Sequence, residues 1–351
     1  MQALRWHGTN DLRLDDVEVP EVRPGEAVLE VSHCGICGTD LHEFRHGPNM
    51  IRTGPHPLSG DAPPMTLGHE LAGVVTAIDG AVPGFAVGDR VTVDPCLRCG
   101  TCRWCVRGEY HICAKGGSIG LASPGGFARY VRVPVECLVR IPDGVDSAAA
   151  ALAEPLAVGL HAIRRAGVSV GDTVLVLGAG PIGVAAVIAA RLAGASQLYV
   201  SEPNPERAAR AAELGATETF DPTAVDVRRE VFLKTGRIGP DVVVEATGRP
   251  ELVELAVTSA RRGGHVALAG ISDSRIDVDL RQVVLFERSI SGCLGYNFDI
   301  PRVLDLMATG RLDASALVTG VRPLSAGLDT FTELAADRGR HLKVLLTPEG
   351  D

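Results

Sequence analysis

Aromatic residues are scarce in this 351-residue chain: two Trp, four Tyr and eight Phe amount to 4% of it. Its cores must therefore be filled mainly by Val, Leu, Ile and Ala. A basic excess is also missing. The formal net charge of −9 argues against nucleic acid or an anionic membrane as a partner. Residues Met1 to Gly8 hold no apolar stretch suited to a signal peptide. One run, Val174 to Ala190, is almost wholly apolar and approaches membrane-spanning length. It is interrupted by Gly178, Gly180, Pro181 and Gly183, so strand, turn and helix are expected there and no membrane span. There is no internal repeat and no low-complexity tract.

What is present is an ordinary globular composition, 46% hydrophobic and 22% charged. The chain is too long for one core, and two domains are expected. Residues 1 to about 150 carry short alternating runs at 27–31, 72–78, 90–93 and 128–133, separated by Gly, Pro and Asp. That texture predicts a largely β, barrel-like domain without long helices. From 147 to 166 the sequence turns Ala-rich and helical. Strand and helix patterns then alternate at 173–177, 181–193, 197–201, 205–214, 241–246, 251–262 and 265–269, which implies a parallel sheet covered by helices. Asn204 as N-cap, Pro205 in the first turn and Gly215 after the last give the helix near 205 defined ends. A further helix at 301–309 leads to short strands such as 343–346. One domain is placed at 1–152 with 296–351, the other at 153–295.

Nine cysteines are clustered. In a chain with no export signal they point to metal or catalysis in a reducing cytoplasm. Cys34-Gly-Ile-Cys-Gly-Thr-Asp-Leu-His42 offers two thiols, a hydroxyl, a carboxylate and an imidazole, and Gly68-His69-Glu70 follows. Cys, His and Glu together can hold Zn²⁺ with one position open, as a catalytic metal requires. Thr39 would place a hydroxyl beside that metal, and His42 a group that titrates near neutrality. The thiols could equally serve as small buried hydrophobes. A second cluster, Cys99-Gly-Thr-Cys102-Arg-Trp-Cys105 with Cys113, sets four thiols at short spacings. Four thiolates close a tetrahedral Zn²⁺ and leave no open position, so this site is structural; redox disulfides are the competing reading. Cys96 lies outside the set, and Cys137 and Cys293 sit in apolar runs as core thiols.

Gly178-Ala-Gly180-Pro181-Ile182-Gly183 follows a predicted strand and opens a predicted helix, the context in which this glycine pattern binds dinucleotides. Gly178 permits the turn, Gly180 the approach of a pyrophosphate, and Gly183 close packing of helix on strand. Glu202, at the end of the next strand, can accept hydrogen bonds from the adenosine ribose and would repel a 2′-phosphate, so NAD is expected rather than NADP. Its alternative is a helix-start carboxylate. Arg207 joins the cofactor-binding set.

In order, Gly-Ile-Cys-Gly-Thr-Asp-Leu-His, Gly-His-Glu, the four-Cys lobe, Ala153-Glu-Pro-Leu156 and Gly-Ala-Gly-Pro-Ile-Gly resemble the zinc-containing medium-chain dehydrogenases over practically the whole chain. Leu41-His-Glu-Phe44, Gly47-Pro48, 56–60 and 64–70 are most similar to the 2,3-butanediol and sorbitol dehydrogenases of that family. The resemblance implies a GroES-like β domain with a Rossmann domain, two zincs, NAD and a small alcohol or diol substrate. It makes Cys37 the catalytic thiolate ligand and Cys34 a neighbour, with His69, Glu70 and Glu154 completing the set. Thr39 would touch the substrate hydroxyl, and His42 would pass its proton to water through the nicotinamide ribose. Asp40 would orient His69, and Lys343 would stand near the pyrophosphate. Homodimer or homotetramer assembly is implied as well. Within the family, a cyclic or bulky secondary alcohol is the alternative substrate. A zinc-free quinone-reductase-like enzyme would lack Cys37, His69 and the four-Cys lobe, and a non-catalytic dinucleotide-binding relative would not need Thr39 and His42.

Overall fold

In the computed structural model of the protein, Met1–Glu154 and Ile300–Asp351 form one unit and Pro155–Asp299 a second. The structure describes residues 1–272, 274–337, 339 and 341–348. The first unit is organised on strand Glu26–Gly35, whose Ala27, Leu29 and Val31 alternate into the core. Along one edge it pairs antiparallel with Glu70–Ile78, which continues to Arg90–Val93 and Leu138–Arg140. Along the other edge, Tyr130–Pro134 takes residues 26–30, and Lys343–Thr347 takes residues 34 and 35. Val318–Pro323 then adds in parallel to Lys343–Thr347. A smaller sheet orders Asp11–Asp16, Gln2–Gly8 and Met65–Thr66. The few aromatics are concentrated: Phe331 meets both Phe44 and Phe127 edge to face, at 6.0 and 5.8 Å between centroids.

The second unit holds a six-stranded, wholly parallel sheet. Its spatial order is Glu218–Phe220, Gln197–Ser201, Thr173–Leu177, Val242–Glu245, His265–Leu268 and Ser289–Gly292. The winding reverses at Thr173–Leu177, the position at which doubly wound sheets bind dinucleotides. Helix Pro181–Ala193 follows that strand and ends on Gly194 in the left-handed region. Asn204 caps Pro205–Glu213 by accepting from the N–H groups of Glu206 and Arg207 at 2.9 and 3.1 Å.

Three features depart from the sequence reading. The helix expected over 147–166 is two, Ser147–Ala151 and Ala153–Ala166. Pro155 has no N–H to donate and clashes with a preceding turn, so it is confined to the first turn of a new helix. Helix Gly38–His46 departs from the expectation of a β domain; its buried face carries Asp40 and Glu43 beside Leu41 and Phe44, which breaks the apolar stripe. Cys293, expected in a core, is only partly buried just past the outermost strand. Among the described residues, no helix is long and apolar enough to cross a membrane.

Candidate metal and dinucleotide sites

The first site forms where two paired strands meet a helix start. Beyond Gly35 the Ile36 N–H donates to the Val344 carbonyl at 2.9 Å, and Cys37 then caps helix Gly38–His46. Asp40 reaches back to accept the Cys37 N–H at 2.9 Å. The cap position puts the thiol at the N-terminal end of the helix. Gly35 lies opposite Glu70 in the register. A Cβ there would stand 2.2 Å from Glu70 Oε2, so glycine makes room for the carboxylate. Gly68, at φ +95°, leaves no space for a side chain against Cys34 and Phe127 and turns the chain so that His69 and Glu70 face Cys37. The ligand atoms of Cys37, His69 and Glu70 all lie within 4.8 Å of one another.

This pocket is buried and short of positive charge. Asp40 and Glu70 are fully buried. Burial works against a charged His69, yet Asp40 and Cys37 outweigh it and hold the ring well above its ordinary pKa; His69 Nδ1 is 3.5 Å from Asp40 Oδ1. Glu70 Oε1 is ion-paired with Lys343, while Oε2 has no hydrogen-bond partner. Burial likewise opposes the Lys343 ammonium, but Glu70, Cys37 and Glu154 raise its pKa. Lys343, expected beside a pyrophosphate, is instead 2% exposed, paired with Glu70, and donates to the Ile36 carbonyl at 3.3 Å. A cysteine sulfur, an imidazole and an unpartnered carboxylate oxygen within one ion's reach are a donor set that fits Zn²⁺.

The neighbouring side chains take distinct places. Cys34 is fully buried and outside the cluster, and burial pushes its thiol well up. Thr39 Oγ1 is 3.7 Å from Cys37 Sγ. His42 is partly buried one turn further along the same helix, its ring 5.3 Å from that of exposed His46. Glu154 lies in the first turn of Ala153–Ala166, 8% exposed, and is not among the three clustered ligand groups. Its charge helps to raise the pKa of Lys343. His46 and the Lys343–Glu70 pair escaped the sequence reading. Four-residue spacing from His42 would have signalled the first had the helix been expected.

In the second cluster the sulfur atoms stand 3.5 Å apart for Cys102–Cys105 and Cys99–Cys113, 3.9 Å for Cys102–Cys113 and 4.0 Å for Cys99–Cys105. Four sulfurs at zinc's bonding distance in a tetrahedron are separated by about 3.8 Å. The fit is therefore geometric as well as chemical. Backbone N–H groups of Thr101 and Cys102 lower the Cys99 thiol to about 6, ready to bind metal as thiolate.

The glycine turn lies at the carboxyl end of Thr173–Leu177. A Cβ on Gly183 would sit 1.9 Å from the Gly178 carbonyl oxygen, and one on Gly178, at φ +92°, 2.4 Å from Thr247. Gly180 is different: its nearest neighbour would be Arg207 Nη1, at 4.0 Å. The protein leaves open the cradle that a side chain would fill, at the start of the helix beginning with Pro181 and Ile182. Glu202 is 6% exposed and accepts the N–H of Ala179 at 2.7 Å and that of Asn204 at 2.9 Å. It therefore braces the turn, with lone pairs to spare for a further donor.

Residues 23–143 match the family described as alcohol dehydrogenase GroES-like domain, and 181–309 that described as zinc-binding dehydrogenase. The chain is 38% identical to (R,R)-butanediol dehydrogenase of Bacillus subtilis, covering 91% of each chain, and 33% identical to sorbitol dehydrogenase of the same organism, covering 99% of this chain and 97% of that one. The crystal structure of 2R,3R-butanediol dehydrogenase from Bacillus subtilis superposes with a TM-score of 0.93 at 36% identity, covering 99% of both chains. A protein of Sinorhizobium meliloti 1021 solved bound to NADP gives 0.90 at 33% identity and the same coverage.

Proposed function

The chain belongs to the zinc-dependent medium-chain dehydrogenases, and on that premise we propose that it uses NAD(H) to interconvert a secondary alcohol or vicinal diol and the matching ketone or hydroxyketone. The observation that carries this reading is the convergence of Cys37, His69 and Glu70 beside Thr39. Zinc held by those three residues, with Glu154 joining directly or through a water, would supply the Lewis acidity that makes an alcohol hydroxyl a ready proton donor.

The chain's own residues handle the proton. Thr39 Oγ1 accepts a hydrogen bond from the substrate hydroxyl and relays the proton along the helix face to His42, one turn on. His46 extends the line of imidazoles to the surface. Gly180, with Arg207 nearest to it, would hold the pyrophosphate of the dinucleotide, and the bound nicotinamide would supply the hydride acceptor for the alcohol carbon. The preference for diols rests on Glu154, a carboxylate able to withdraw behind a water and leave room for a substrate bearing two oxygens. Relatives named for butanediol and sorbitol, both vicinal hydroxy compounds, support it.

A second zinc belongs to Cys99, Cys102, Cys105 and Cys113. The gathering of five of the cysteines into groups that could hold a metal supports a cytoplasmic setting. A homodimer or homotetramer is supported by the outermost strand Ser289–Gly292. Leu280, Val284 and Leu285, near it in sequence, are each about 70% exposed.

Metal analysis with an NAD⁺-reduction screen over diols, polyols and simple alcohols tests this function. Two zincs per chain and a kcat/KM for butane-2,3-diol about tenfold or more above that for ethanol are expected. Absence of zinc, or a preference for ethanol, overturns the reading. The cofactor choice has its own test. Wild-type turnover with NAD⁺ should greatly exceed that with NADP⁺, and Glu202→Ser should narrow the gap by removing the charge that repels a 2′-phosphate. Because Glu202 also braces Ala179, KM for both cofactors should rise in the variant. Equal wild-type rates with both cofactors would refute the assignment.

A further inference from the structure

At the base of the four-thiol lobe lies a polar cluster that contains none of the ligands. Asp94, just after strand Arg90–Val93, is 8% exposed, and its N–H donates to the Cys137 carbonyl at 2.8 Å. Its Oδ2 accepts the Tyr110 hydroxyl at 2.5 Å, and its Oδ1 the Cys96 N–H at 3.1 Å. Arg98 lies with its guanidinium carbon 4.4 Å from the centre of the Tyr110 ring and Nη1 3.5 Å from Asp94 Oδ2. It also donates to the Glu136 carbonyl. Tyr110 is itself 4% exposed.

The positions in the chain give the cluster its meaning. Arg98 immediately precedes Cys99, the first ligand. Tyr110 lies three residues before Cys113, the last ligand, whose N–H donates to the Tyr110 carbonyl at 3.0 Å. Cys99 and Cys113 meet directly above, the Cys99 N–H lying 3.4 Å from Cys113 Sγ. The cluster thus ties the two ends of the lobe to each other and to the sheet. An apolar trio could fill the same volume at equal or better stability. What it could not do is fix the direction in which each end leaves, because hydrophobic contacts are not directional. A flexible loop must close before four thiols can share an ion, and closure costs entropy. Here the closure is already made by contacts independent of the metal.

We propose that Asp94, Arg98 and Tyr110 are positioning residues for the lobe zinc, holding the four thiols gathered and setting how slowly the metal is released. This rests on the assignment of Cys99, Cys102, Cys105 and Cys113 as a zinc site, and the experiment separates the two. Zinc release from the intact protein into a chromophoric chelator is followed in the wild type, Cys102→Ser, Tyr110→Phe and Arg98→Lys, with an unfolding midpoint measured for each. The lobe phase is the one missing in Cys102→Ser; if that variant keeps both phases, the zinc assignment itself fails. Tyr110→Phe, which keeps the ring and removes the hydroxyl, should speed the lobe phase on the order of tenfold or more while leaving the catalytic-zinc phase unchanged. Arg98→Lys, which keeps the charge and loses the planar stack, should do the same. Lobe release at the wild-type rate in both variants overturns the proposal. So does an equal acceleration of both phases that follows the unfolding midpoint.

Discussion

Cys37→Ser is expected to lose one zinc and to lower turnover on the order of a thousandfold or more, since a metal Lewis acid contributes several kcal/mol to such a reaction. Cys34→Ser should keep both zincs and turn over within a few-fold of the wild type. The two thiols are three residues apart, and their surroundings are opposite. Cys37 caps a helix and shares one ion's reach with His69 and Glu70. Cys34 is fully buried, and burial holds its proton in place. Its hydroxyl replacement would bury a polar group for about 1–3 kcal/mol of stability without touching the chemistry. Zinc content and initial rates of the two variants decide the matter. Retained activity in Cys37→Ser with loss in Cys34→Ser would move the ligand.

The second large effect is on stability. Lys343 and Glu70 form a buried ion pair with almost no exposure on either side chain. Lys343→Met keeps the apolar stem and removes the ammonium, leaving Glu70 uncompensated beside Cys37 and Asp40. Breaking a buried pair from one side costs roughly 3–5 kcal/mol. Because a bound divalent ion supplies positive charge at the same place, the loss should be larger in chelator-treated protein than in zinc-loaded protein. Glu70→Gln in the Lys343→Met background should recover part of the metal-free loss, a coupling read from a double-mutant cycle. Urea midpoints with and without chelator measure all of this. Unchanged midpoints in Lys343→Met would show that the pair does not stabilise the pocket.

What could be read in advance was local. The glycine turn is legible because each of its demands concerns a neighbour in sequence, such as Gly183 against the carbonyl of Gly178. The four-thiol lobe is legible for the same reason, its ligands lying within fifteen residues. Helix Gly38–His46 was hidden because Asp40 and Glu43 share its buried face with Leu41 and Phe44 and interrupt the apolar stripe that would otherwise announce it. The partner of Lys343 is 273 positions away in sequence, at Glu70. No periodicity encodes such a pairing; only the register of Lys343–Thr347 against Glu26–Gly35 creates it.

That register has a consequence for biosynthesis. The second unit, Pro155–Asp299, is one continuous piece of chain and can fold as it leaves the ribosome. The first unit cannot be completed at its turn. The segment leading into Cys37 waits for a carbonyl at Val344, and Ile36 and Lys343 are separated by 307 positions. During synthesis Cys37 and His69 are therefore exposed to the cell long before the ammonium that pins Glu70 exists. The pocket lined by Cys37, His69 and Glu70 is complete only once residues 343–347 have been translated.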